Sequence, residues 1–192
     1  SKQLKAIFEK EDNVTTIPNG IDVAEIGKVI PSKSRCDIIY VGRLLSHKNV
    51  DVLIHAVAII SKNFPNIKFT IVGDGPEKDK LTKLIKDLGI MHNLKMVGFL
   101  KTSDQVYGRI KSSKVLVLPS SREGFGLVLL EANACGVPVV TVNEPNNAAK
   151  DLIENGVVGK IAELDPKDLA SKIVASLSKP REINFPDKYN FD

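Results

Sequence analysis

A single rhythm limits what this chain can fold into. Short apolar runs, several closed by glycine, alternate with stretches whose apolar residues recur at helical spacing. Residues 37–41 (DIIYV) end at Gly42 and residues 68–72 (KFTIV) end at Gly73. Between them, over 49–64, Val50, Leu53, Ile54, Val57 and Ile60 share one helical face. Leu81, Leu84, Ile85 and Leu88 mark a second helix, with Gly89 as its terminator. A strand at 94–97, a helix at 103–113 capped by Ser103, a strand at 115–118 (VLVL), a helix at 126–134 and a strand at 138–142 follow. Residues 147–154 read as a short helix and 157–162 as a short strand. Asp165 and Pro166 then open a last helix as N-cap and first-turn proline, with Leu169, Ile173, Val174 and Leu177 as its apolar face.

Strands this apolar, separated by helices, belong in a parallel sheet covered on both faces. The fold class is therefore α/β, with one doubly wound, Rossmann-like parallel sheet of about six strands. Ligands of such sheets bind beyond the carboxyl ends of the strands. Function is thus expected in the loops 42–48, 73–77, 98–101, 119–126 and 143–149.

Composition removes other classes. At 43% hydrophobic and 26% charged residues, the 192-residue chain reads as one globular domain. It has no 18-residue apolar run, and its charged first residues, SKQLKAIFEKED, do not read as a signal peptide. Cys36 and Cys135 make no disulfide framework, so a cytoplasmic setting is expected, including the cytoplasmic face of a membrane. No Cys/His cluster has metal-ligand spacing. The net charge of +4 suits either an anionic partner or a solvated, lysine-rich surface. No Lys/Arg run reaches five and aromatics are 5%, which argues against nucleic acid. Dinucleotide, P-loop and nucleophile-elbow motifs are all missing from the sequence.

Three stretches carry chemistry. In PSSREGFGLVLLE, from Pro119 to Glu131, Gly124 and Gly126 stand where a strand turns into a helix. Backbone amides there can approach a ligand, and the helix N-terminus suits phosphate. Glu123 in the turn and Glu131 in the helix are placed to hold hydroxyl groups at two points of a polar ligand; a helix cap and a solvated glutamate are the plainer alternatives. In YVGRLLSHK, Arg43 and Lys48 lie in the loop after the first strand. Two cations meeting the amides of Gly124–Leu127 would make a diphosphate site without a metal. His47 has no partner that the sequence positions. In IVGDGP, two glycines and a proline force a tight turn, with the next helix starting near Pro76.

Together these pieces resemble the retaining glycosyltransferases of GT-B architecture, the group 1 or family 4-like enzymes. The likeness runs in order through IPNGID (17–22), YVGRLLSHKN (40–49), IVGDGPE (71–77), VGFL (97–100) and LPSSREGFGLVLLEANACGVPVV (118–140). The last holds the family's pair of glutamates seven residues apart, matched by Glu123 and Glu131. The resemblance implies that Arg43 and Lys48 bind the donor diphosphate, that Glu131 holds the ribose and that Glu123 faces the transferred sugar. It implies that the amides of Gly124, Phe125, Gly126 and Leu127 cradle phosphates and sugar. Gly42 belongs to the same donor loop, and Gly73, Phe99 and Leu100 match the nucleobase pocket.

The implied activity is transfer of a hexosyl unit (mannose, glucose or N-acetylglucosamine type) from a UDP- or GDP-sugar, with no cofactor and no metal. By the same resemblance, residues 1–180 are the C-terminal, donor-binding half, with about 1–20 an interdomain segment. Residues 181–192 are a tail without partner or core pattern that would return toward an acceptor-binding N-terminal domain. A peripheral membrane contact through that domain is left open. Residues 143–150 (NEPNNAAK) depart from the Gly-Gly turn and Pro-Glu of many relatives. Asparagine's tolerance of left-handed backbone leads us to expect the turn to be kept. An epimerase or inverting transferase of the same architecture, and a non-enzymatic interaction or receiver-type domain, remain as alternative functions.

Overall fold

The structure is a computed structural model that describes residues 19–177 and 183–190. Nearly all of the expected interdomain segment lies outside the described residues, as do Ile17 and Pro18 of IPNGID and, in the tail, residues 181–182 and 191–192.

Four strands form the buried centre: β1 (Ile38–Val41), β2 (Phe69–Val72), β4 (Val115–Leu118) and β6 (Val139–Val142), with β3 (Leu94–Gly98) and β8 (Gly159–Ala162) at the edges. They make one six-stranded sheet in the order β3-β2-β1-β4-β6-β8, every pair parallel. In β2, β4 and β6 all four residues are buried, as expected of strands covered on both faces. The chain winds outward from β1 to β3, then restarts at β4 and winds the other way. That reversal opens a crevice between the carboxyl ends of β1 and β4, where open α/β sheets bind ligands. A second, two-stranded parallel ladder joins β5 (Arg122–Glu123) to β7 (Asn146–Asn147).

The helices follow the apolar periodicity. Helix α2 (Val50–Asn63) buries Leu53, Ile54, Val57 and Ile60 against the sheet and against α7 (Pro166–Leu177). Asp165 Oδ1 accepts from the amides of Lys167 and Asp168, the expected cap. Helix α3 is Lys78–Asp87, beginning two residues beyond Pro76. Helix α4 (Ser103–Lys111) is capped by Thr102, whose hydroxyl accepts from the Gln105 amide, rather than by Ser103. Helices α5 (Leu127–Ala134) and α6 (Ala149–Glu154) flank the site. Helix α1 (Val23–Lys28) has no counterpart in the sequence reading; Asp22 caps it and only Ile26 of it is buried, too little for a periodic signal.

The tail does find a partner. The Ile21 amide donates to Tyr189 O at 3.0 Å, Tyr189 is 6% exposed, and its ring meets Phe125 edge-on at 6.4 Å. The expectation of a tail without core contact is thereby corrected for residues 183–190. A single buried aromatic among polar neighbours gives no pattern to read.

Candidate functional site

The loop after β1 is fixed by its neighbours on both sides. Leu44 N donates to Asp74 O at 2.9 Å and Glu77 N to Leu44 O at 3.2 Å, tying it to the loop after β2. Gly73, at φ +136°, must be glycine: a Cβ there would stand 1.9 Å from Gly42 O. Its amide donates to Gly98 O at 2.8 Å, so three successive strand ends are joined. The buried Tyr40 hydroxyl donates to Arg43 O at 2.9 Å.

On the other side the link is Asn49, left-handed at φ 48°, whose Nδ2 donates to Pro119 O at 3.0 Å. Ser121 donates through its amide (2.9 Å) and hydroxyl (3.2 Å) to His47 O. His47 thus serves through its backbone carbonyl. These bonds close the crevice at its base and bring Lys48 to Glu123, with Nζ and Oε1 2.6 Å apart. Both side chains are largely buried, 16% and 14% exposed. Glu123 is not a helix cap: it lies in β5, opposite Asn147, and its carbonyl accepts from Ala148 N at 3.0 Å.

Asn147 is the fully buried post under that ladder. Its Nδ2 donates to Thr141 Oγ1 (3.0 Å) and Val142 O (2.8 Å), and its Oδ1 accepts from Ala149 N (3.2 Å). The expectation of a left-handed asparagine turn in 143–150 is corrected here, because Asn49 is the one non-glycine with positive φ among the described residues.

Beyond Glu123 the chain turns into α5. The amides of Gly124, Phe125, Gly126 and Leu127 donate to no carbonyl or side chain of the described residues, so they face outward from the N-terminus of a helix. The two glycines differ. Gly124 has open space around its missing Cβ, whereas a Cβ at Gly126, φ +83°, would stand 2.4 Å from Ala149 Cβ. The sequence reading gave both the same reason, ligand approach; packing against α6 is what Gly126 requires. Phe125 is half-buried against the core and Leu127 is exposed.

Glu131 sits one turn into α5, half-buried. Its partner is not Arg43 or Lys48 but Tyr107 of α4, whose hydroxyl donates to Oε1 at 3.2 Å. Burial pushes the Glu131 carboxyl above its ordinary value, and the Tyr107 bond partly offsets this. Burial and the same carboxylate push the Tyr107 phenol up to about 12. Glu131 is thus neither a solvated glutamate nor part of the apolar core. The exposed Arg43 side chain has no hydrogen bond to the described residues, and Phe99, 76% exposed, stands at the end of β3 beside the half-buried Leu100. Tyr107, Asn49 and Asn147 were not singled out from sequence. Of these only Asn49 carried a local signal, as an asparagine just ahead of a helical pattern.

Comparison with known proteins places this geometry. Residues 24–189 match the family described as glycosyl transferases group 1. A phosphatidylinositol N-acetylglucosaminyltransferase of Arabidopsis thaliana is 27% identical over 92% of this chain and 39% of its own. A glycogen synthase of Mycobacterium tuberculosis is 32% identical over 87% of this chain and 40% of its own. The chain therefore spans about two fifths of the length of these relatives. Among solved structures, Anabaena Alr3699/HepE in complex with UDP and glucose superposes with a TM-score of 0.74 at 25% identity, covering 93% of this chain and 52% of that one. The parallel sheet, the ordered motifs and these matches agree: the chain belongs to the glycosyl transferases group 1, GT-B glycosyltransferases with a Rossmann-like fold.

Proposed function

We propose that this chain is the donor-binding, C-terminal half of a retaining glycosyltransferase, moving a hexosyl unit from a UDP- or GDP-sugar to an acceptor held by a second domain. The observation that carries this reading is the Lys48–Glu123 pair at the switch point, beside unclaimed amides at the start of α5. A diphosphate lying over those amides meets a helix N-terminus, Lys48 and, from the same loop, Arg43. All three stabilise negative charge, which grows on the diphosphate as the bond from the sugar's anomeric carbon breaks. The donor then leaves as nucleoside diphosphate, and the acceptor oxygen takes its place on that carbon with loss of its proton.

Glu123 serves two ends in this reading. Without donor it holds Lys48 in place; with donor it faces the sugar, and the phosphates replace it as the lysine's counter-charge. Glu131, farther along α5, receives the ribose hydroxyls, with Tyr107 fixing its carboxylate. Gly73, Phe99 and Leu100 flank the base, with Gly42 at the turn below. Neutralisation by side chains and amides requires no metal. Cytoplasmic residence follows from the donor, since nucleotide sugars are made there. A calorimetric titration with UDP, GDP and their sugars in EDTA tests the reading. Binding of one nucleoside diphosphate, weakened about ten- to a hundredfold by Lys48→Ala, is expected from loss of a charged hydrogen bond. Indifference of every nucleotide to Lys48→Ala and Glu131→Ala would sink it.

A further inference from the structure

The edge of the sheet opposite the proposed donor site carries a charged cavity that this function leaves unused. Strand order sets Lys68, Asp37 and Lys114 side by side, because they immediately precede β2, β1 and β4, three neighbours in the sheet. Asp37 O accepts from both Lys114 N and Val115 N, and Lys68 O accepts from Asp37 N, so their backbones are locked at that edge. The segment 31–37 folds over them, held by Ser32 N to Gly108 O (2.8 Å), Cys36 N to Ser112 O (3.1 Å) and Ser112 Oγ to Ser32 O (2.7 Å). The space enclosed is about 860 Å³.

Its charge is one-sided. Lys33, Arg35, Lys68, Lys111 and Lys114 line it against one acid, Asp37. That excess of four equals the formal charge of the whole chain, so the remaining acidic and basic residues cancel. The lone acid is already occupied: Asp37 Oδ1 pairs with Lys114 at 2.7 Å and Oδ2 accepts from Lys68 N at 2.8 Å. Lys111 is anchored on Gly27 O and Val29 O, the end of α1, and Lys68 Nζ on His92 O. Lys33 and Arg35 have no hydrogen bond or ion pair to the described residues. Like charges gathered around a recess without an internal counter-ion raise the local potential, which draws in an anion.

We propose that this cavity binds a multiply charged, phosphate-bearing anion, with Lys33 and Arg35 as its direct ligands and Lys68, Lys111 and Lys114 as the wall that sets the field. The guanidinium fork of Arg35 matches two phosphate oxygens, and Lys33 adds a point charge. A monoanion would leave most of the field unanswered. The site is distinct from the donor crevice, since a four-residue strand of roughly 13 Å separates the two edges of the sheet.

The test uses the full chain and inorganic pyrophosphate, followed by amide chemical shifts, which locate the ligand as well as detect it. Pyrophosphate should move the amides of 32–37 and 111–114, and the K33Q/R35Q variant should weaken that response at least tenfold in Kd. Both side chains are exposed, so far-UV dichroism and the thermal midpoint of K33Q/R35Q should match the parent. Shifts confined to 42–48 and 123–127, or a Kd unchanged by K33Q/R35Q, would overturn the proposal. Vesicles then name the source. Sedimentation with phosphatidylglycerol but not phosphatidylcholine vesicles, lost in K33Q/R35Q, assigns a lipid headgroup. Failure to sediment, or sedimentation that survives K33Q/R35Q, assigns a free phosphate.

Discussion

Gly124 and Gly126 stand two residues apart in one turn, and the structure gives them opposite reasons to be glycine. At Gly126 a methyl group would lie 2.4 Å from Ala149 Cβ and 3.2 Å from its Cα, with φ at +83°. Carbon atoms settle at about 3.5–4.0 Å, so α5 and α6 would have to part by roughly 1 Å. The left-handed backbone costs an alanine about 1–2 kcal/mol, and overpacking of this kind about 1–3 kcal/mol. Gly126→Ala should therefore lose roughly 2–5 kcal/mol, a large share of a domain's ~5–15 kcal/mol. At about 2–4 °C per kcal/mol for a chain of this size, the thermal midpoint should fall by at least ~4 °C.

Gly124→Ala meets nothing within 4 Å and has no positive φ, so its stability should stay within about 0.5 kcal/mol of the parent. Ala149→Gly separates the two costs at Gly126. Added to Gly126→Ala, it removes the clash but not the backbone strain, and should restore part of the loss. Urea denaturation of the four proteins at matched m-value checks this series. If Gly124→Ala unfolds as readily as Gly126→Ala, or if Ala149→Gly restores nothing, the packing account of Gly126 is wrong. Nucleoside diphosphate affinity then reads the other glycine: a methyl at Gly124 should weaken it in a protein that is fully folded.

Three further outcomes follow from the same site. Lys48→Met and Glu123→Gln should each lose about 1–3 kcal/mol, since each leaves a mostly buried charge unpaired. The Lys48→Met/Glu123→Gln protein should lose less than their sum, and strict additivity in urea would show that the 2.6 Å contact contributes nothing. Glu131→Gln should gain thermal stability near pH 8 and show no gain at pH 4. Burial raises the folded Glu131 pKa above 4.5, so ionisation weakens the folded state as pH rises through that raised value and costs nothing below 4.5; a gain equal at both pH values would refute the cause. Asn147→Ala should cost about 1–3 kcal/mol for its lost buried hydrogen bonds. It should also lower turnover of the complete enzyme more than nucleoside diphosphate affinity, because it frees the backbone of Glu123 and not the α5 amides; equal losses in both would count against that division.

The parts of this fold that were legible in the sequence are those whose signal is local and repeated. Six strands and the helices after β1, β2, β3, β4 and β8 announced themselves because a period of 3.6 residues, or a run buried on both faces, is written into consecutive residues. β5 and β7 are two residues each and polar, so they carry no period at all. Strand order was equally silent, since nothing in β4 states that it pairs with β1. The donor site divides along the same line. The glycines and the outward amides of α5 were readable from one turn of sequence. The Lys48–Glu123 contact spans 75 positions, and Tyr107 reaches Glu131 across 24. For these, residue type was the only clue, and a tyrosine on an amphipathic helix is ordinarily core.

The stretch 143–150 shows how one backbone geometry can be held by different chemistry. A pair of glycines turns a chain by adopting positive φ, a solution with no side chain to bond. Here the backbone never enters that region, and the turn is held by a side chain: Asn147 spans Thr141, Val142 and Ala149 from a fully buried position. That exchange stiffens the turn, because three hydrogen bonds in a dry environment resist opening more than a flexible glycine pair does. The stiffness is delivered where it counts. Asn147 is the register partner of Glu123, and Ala149, one residue beyond the Glu123–Ala148 bond, is the atom wall against which Gly126 closes. One buried asparagine therefore sets both the carboxylate that holds Lys48 and the angle at which the α5 amides leave the sheet. A substitution at Asn147 should disturb these two features together, whereas a change at Gly124 should touch the amides alone.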